Sequence, residues 1–129
     1  MENSLDNFFP KDLRLLRSND FKRVHESGRR KSSQTLQIFY IPNYSENSRF
    51  GISVSKKFGL AVERNLLKRW IREAIRKNKT LIQGGLDVVV HPRLNVESSS
   101  KQILLELNDL FISLNLRKEI ALHKKIHPA

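Results

Sequence analysis

The sequence predicts an α+β fold, a single-domain α-β sandwich with helices laid on one small sheet. Two observations predict it. A chain of 129 residues has room for one domain whose core holds without disulfide or metal staples. Along it the hydrophobic period reads as helix, strands, helix, strand, helix, and no segment repeats.

The elements follow in order. Ser18, Asn19 and Asp20 favour helix N-caps, and residues 20–27 place Phe21, Val24 and His25 on one helical face. Gly28 suits a helix stop. Residues 28–34 are basic and polar and read as a short strand. Residues 35–41 are rich in β-branched and aromatic types and read as a strand, with Tyr40 on the face opposite Phe39 and pointing to the core. Residues 42–47 are turn chemistry. Residues 49–55 alternate, with Phe50, Ile52 and Val54 on one side, and are expected to pair with the preceding strand as a hairpin.

From 61 to about 79 the period is helical, and Gly84-Gly85 breaks the chain again. Residues 86–91 have the near-continuous apolar character of a buried strand, closed by Pro92. Ser98, Ser99 and Ser100 offer a cap for a last helix. Its stripe of Ile103, Leu104, Leu107, Leu110, Phe111 and Leu114 is core. Residues 1–10 and the basic stretch 117–129 are expected to be mobile ends.

Charge narrows the function. Lys and Arg number 24 against 13 Asp and Glu, giving +11 and a pI near 10.4. Such an excess attracts polyanions. It is not spread evenly. Residues 56–79 hold nine basic residues and two acids, and residues 11–31 hold eight and three, so the remainder is nearly neutral. On a wheel of the 61–79 helix, Leu66, Leu67, Trp70, Ile71 and Ala74 share one arc and Ile75 sits at its border. Asn65, Lys68, Arg69, Arg72, Arg76 and Lys79 share the opposite arc, with no acid among them. Like charges at 68, 72 and 76 repel in the free protein, a destabilising choice that a bound polyanion explains. Arginine suits bidentate phosphate contact and base stacking. The turn before the helix, with Lys56 and Lys57, adds phosphate contacts. The expected partner is therefore a structured RNA.

Other functions find less support. There is no cysteine, hence no disulfide framework or thiolate metal site. No apolar run approaches the roughly 18 residues that span a bilayer, the N-terminus lacks a secretory pattern, and the helix's apolar arc is needed by the sheet rather than by lipid. The cytoplasm is the expected location. His25, His91, His123 and His127 are scattered, and the i, i+4 spacing of the last two lacks a carboxylate partner. Glu63, Glu73 and Asp87 are conceivable magnesium ligands of a nuclease, but Glu73 reads more simply as the helix's counterion and Asp87 as a strand start. Without a phosphate-cradling loop or a Ser-His-Asp pattern, the protein alone is not expected to cut RNA.

The string Gly51-Ile52-Ser53-Val54-Ser55-Lys56-Lys57-Phe58-Gly59-Leu60-Ala61-Val62-Glu63-Arg64-Asn65-Leu66-Leu67-Lys68-Arg69-Trp70-Ile71-Arg72-Glu73-Ala74 resembles the signature of the protein subunit of bacterial ribonuclease P. The resemblance extends over about residues 13–114. It implies the order α-β-β-β-α-β-α, a fold like domain 2 of ribosomal protein S5, and a left-handed crossover where general rules give right-handed ones. It implies as partners a catalytic RNA subunit and precursor tRNA, from which the assembled endonuclease removes the 5′ leader. Magnesium ions held by the RNA do the chemistry, and neither a cofactor on the protein nor an obligate protein partner is implied.

The resemblance also assigns roles. Arg64, Asn65, Lys68, Arg69 and Arg72 match positions that dock on the RNA subunit, and Lys56, Lys57 and Arg76 extend that surface. Phe21 and Phe39 match positions in an aromatic cleft that takes the leader, where single-stranded bases stack. His25 stands where an aromatic residue is usual, Leu66 where a third basic residue is usual, and Leu60 where a small polar one is common. Residue type alone favours core for both phenylalanines. The alternative reading is a general or ribosomal RNA-binding protein without an enzymatic partner.

Overall fold

A computed structural model describes residues 13–15, 17–82, 84–94 and 97–126, the last twelve of these as backbone only. Helix α1 (Ser18–Ser27) leads into strands β1 (Arg29–Ser32), β2 (Leu36–Pro42) and β3 (Arg49–Ile52). A 3-10 turn at Lys56–Phe58 precedes α2 (Ala61–Asn78), and a second at Lys79–Leu81 follows it. Strand β4 (Leu86–Pro92) and the long α3 (Ser100–Ile126) complete the chain. The predicted order α-β-β-β-α-β-α holds. Residues 1–10 and 127–129, expected as mobile ends, lie outside the described residues, while 117–126 continue α3 as helical backbone.

The sheet has the order β1-β2-β4-β3. Its pairing corrects the expected hairpin between the second and third strands. β2 pairs antiparallel with β1, Phe39 opposite Arg30, and with β4, Phe39 opposite Val89. β3 instead lies parallel to β4, Gly51 opposite Val89. The physical reason is the composition of β4. Val88 and Val90 are fully buried on one face and Val89 on the other, so this strand needs cover on both sides and two strand neighbours. It therefore inserts between β2 and β3, and the six residues 43–48 span the gap. The outer edge of β3 is capped by a bridge between Arg14 and Phe50.

Two cores result. On one face Leu36, Ile38 and Tyr40 of β2 join Phe50, Val88 and Val90 under Ile71, Ala74 and Ile75 of α2 and the stripe Ile103, Leu107, Leu110, Phe111 and Leu114 of α3. Tyr40 thus sits on the core side predicted for it, and Leu104 packs half-buried at the stripe's edge. On the other face α1 sets Val24 over Leu15 and Val89, flanked by Phe21, Phe39 and Ile41. Helices therefore cover both faces of the sheet.

One cap expectation shifts and one holds. The N-cap of α1 is Arg17, without a side-chain acceptor, so Ser18, Asn19 and Asp20 enter the first turn instead. For α3, Ser99 Oγ accepts from the Gln102 N–H at 3.2 Å, as a cap should. The buried Asn78 clamps α2 to α3, donating to the Ala74 and Leu104 carbonyls and accepting from Asn108 at 3.0 Å. No helix among the described residues is long and apolar enough to cross a membrane.

Candidate nucleic-acid interface

The basic surface is built by α2 and the turn before it. Ser55 Oγ accepts from the Lys57 N–H at 3.2 Å and starts the turn, leaving Lys56 and Lys57 exposed. Gly59 has φ 119°, and a Cβ there would meet Glu63 Oε1 at 2.9 Å, so this corner requires glycine. Glu63 accepts from the Leu60 N–H at 3.1 Å, the return half of a capping box. Arg64 Nη1 donates to the Gly59 carbonyl at 2.9 Å, which ties the turn to the helix.

Along α2, Asn65, Arg69 and Arg72 are exposed, while Arg64, Lys68 and Arg76 are half-buried. None of them is buried, as the wheel predicts for Asn65, Lys68, Arg69, Arg72 and Arg76, while Lys79 of the same arc falls in the 3-10 turn after α2. Two details correct the sequence reading. Arg76 is not on an acid-free face, because Glu73 pairs with its Nε at 2.8 Å. The buried arc is also rotated. Ile75, read as a border residue, is fully buried, whereas Leu66 is 44% exposed. The cause is α3, which packs beside α2 and shares the burial with the sheet, so Leu66 and Trp70 fall at the edge of the contact.

The second surface lies on the α1 face of the sheet. His25 from α1, Phe39 from β2 and His91 from β4 bring their rings together. The centroids are 4.4 Å apart for His25–Phe39, 4.5 Å for His25–His91 and 5.3 Å for Phe39–His91. The two imidazole Nε2 atoms are 2.8 Å apart, a hydrogen bond that needs one ring to donate and the other to accept. Burial, reinforced by the charge His25 can carry, pushes the His91 pKa down to about 4. Phe21 lies half-buried farther along α1, against Gly51, where a Cβ would come within 2.6 Å of its ring. Phe21, His25 and Phe39 therefore share one face, as expected.

His91 was missed as a member of this cluster. It is 66 residues from its partner, and only the β2–β4 register, which places it opposite Gln37, brings it there. A hollow of about 310 Å³ continues from His91 and Gln37 to Ser53, Ser55 and Phe58. The hollow therefore reaches from His91 of the ring cluster to Phe58 in the turn that also carries Lys56 and Lys57.

The carboxylates considered for magnesium are engaged elsewhere. Glu63 closes the corner at Leu60, and Glu73 pairs with Arg76. Asp87 is no mere strand start. It is fully buried and receives a bidentate pair from Arg49 at 2.9 and 2.7 Å, Asn43 at 2.9 Å, and Arg23. Burial pushes the Asp87 carboxyl up, but these donors outweigh it and hold the group below its ordinary value. Among the described residues no three His, Asp or Glu side chains converge as a metal cluster. These donors do not fit a divalent cation.

Comparison with known proteins agrees with the geometry. The ribonuclease P family profile matches residues 9–115. The ribonuclease P protein component of Petrotoga mobilis is 42% identical over 95 residues, covering 74% of this chain and 80% of its own. The solved ribonuclease P protein of Thermotoga maritima superposes with a TM-score of 0.71 at 33% identity, over 78% of this chain and 96% of that one. That of Staphylococcus aureus gives 0.68 at 32% identity, over 75% and 90%. The chain belongs to the ribonuclease P protein component family.

Proposed function

We infer that this chain is the RNA-binding subunit of a ribonuclease P ribonucleoprotein. It docks on the catalytic RNA subunit through Arg64, Asn65, Lys68, Arg69 and Arg72, with Lys56, Lys57 and Arg76 beside them. The observation that carries the reading is the outward face of α2, whose exposed Arg69 and Arg72 lack any ion-pair partner among the described residues. The 5′ leader of precursor tRNA runs over Phe39, His25 and His91, with Phe21 farther along the same face. The hollow reaching from His91 to the Lys56–Lys57 turn supports one RNA path across both surfaces. Chemistry belongs to magnesium ions held by the RNA, a reading supported by the engagement of the protein's own carboxylates. The cytoplasm is the setting this role requires.

The test is binding to the catalytic RNA. With about six phosphates neutralised, log K falls against log salt with a slope of about −4 to −5. Arg69→Ala with Arg72→Ala leaves the circular dichroism spectrum unchanged, weakens binding by about 10²-fold, and flattens the slope by about 2. A double variant that binds as well as the parent rejects the α2 interface. Equal affinity for leader-bearing and leaderless precursors in the assembled particle rejects the cleft.

A further inference from the structure

The rotation of the buried arc leaves a second feature on α2. Between α2 and the first turn of α3 lies a groove of about 470 Å³, within the roughly 300–1,000 Å³ of small-ligand sites. Leu66, Trp70 and Leu104 form its apolar floor, and Arg69, Lys77 and Lys101 stand around it. Trp70 is half-buried, one part of the ring packed on the core and another in the groove. The three cations are exposed and have no hydrogen-bond or ion-pair partner among the described residues, while Glu73, the acid in the groove, is paired with Arg76.

We propose that this groove receives one unpaired nucleotide of the RNA subunit, its base stacked on Trp70 and its phosphates held by Arg69 and Lys101. The proposal rests on the RNA-docking reading above and extends that interface from α2 onto α3. Arg69 belongs to both surfaces, so an RNA lying along the basic face meets the groove at its edge. An apolar floor with a flat ring suits a base, and an unpartnered cationic rim suits the phosphates on either side. The base must be unpaired, because a duplex keeps the faces of its bases stacked inside. Leu66, where the family usually has a basic residue, then supplies floor in place of charge.

Trp70 is the sole tryptophan of the chain, so tryptophan emission comes from this side chain alone. The full-length protein is titrated with the RNA subunit of ribonuclease P, with binding followed separately by filter retention. Stacking quenches Trp70 emission by about half or more and shields it from acrylamide. Lys101→Glu, an exposed position remote from the core, weakens binding about tenfold. Trp70→Ala does likewise, and Trp70→Phe stays within about threefold because a ring remains. Full-strength binding with Trp70 emission unchanged, or with Lys101→Glu at parental affinity, overturns the groove and leaves the α2 interface standing. Absence of any RNA binding overturns both. Emission that shifts with protein concentration before RNA is added assigns the groove to a second copy of the chain and overturns the nucleotide.

Discussion

His91 closes β4 with its imidazole against Phe39 and His25. Burial first, and the neighbouring imidazole second, hold its pKa at about 4 against an ordinary 6.5. The unfolded chain therefore binds a proton in a window where the folded chain does not, and linkage fixes the sign. Stability is fully present above about pH 6.5 and declines as the pH falls toward 4. Denaturation midpoints measured across that range should fall, and the His91 resonance in an NMR titration should move with a midpoint near 4. A midpoint near 6.5 would mean that the ring is not enclosed as described. At neutral pH His91 is thus an uncharged ring. The sequence displayed His25 because it stands on a helix face beside Phe21. It concealed His91 because only strand register joins the two.

At the scale of elements, α2 shows both its capping chemistry and its basic face. Its N-cap, Leu60, is 73% exposed and offers no side-chain acceptor, while Glu63 already returns to its N–H. Leu60→Ser would complete the capping box and is expected to stabilise the protein by about 1 kcal/mol, read from urea denaturation. A loss of stability would show that the Leu60 side chain packs rather than caps. The helix was legible because a 3.6-residue period sorts twelve side chains by local arithmetic alone. Which residues at the edge of the arc are buried was not legible, since Leu66 and Ile75 answer to α3, an element about 30 residues away. The hairpin failed for the same reason. Residues 43–48 do reverse the chain, but β4 outcompetes β3 for the edge of β2.

Across the whole molecule, Asp87 joins what the chain separates. Its carboxylate collects Arg23 from α1, Asn43 from the loop after β2 and Arg49 from β3, so the ring-bearing helix is tied to the same strand that carries His91. Removing one partner of a fully buried ion pair costs about 3–5 kcal/mol. Arg23 and Arg49 are 39% and 35% exposed, and water would take up part of that loss. Asp87→Asn is therefore expected to cost about 2 kcal/mol by chemical denaturation. Because the carboxyl is held below its ordinary value, this contribution is present above about pH 3.8 and is lost as the pH falls through the folded value. An unchanged midpoint would show that the cluster adds nothing to stability. Nothing in the sequence marked Asp87 as this junction, since each of its cations lies in a different element.

The outward face of α2 as the RNA contact is the claim on which the rest depends, and the absence of cysteine makes it directly measurable. A single cysteine carrying a tethered iron chelate is placed at Ala61, exposed on the basic side of α2, or at Tyr44, 96% exposed in the loop after β2. Each labelled protein is assembled with the catalytic RNA, and hydroxyl-radical cleavage of the RNA is mapped. Strong, localised cleavage from position 61 and little from position 44 is the predicted result. Cleavage from position 44 with none from position 61 would contradict it.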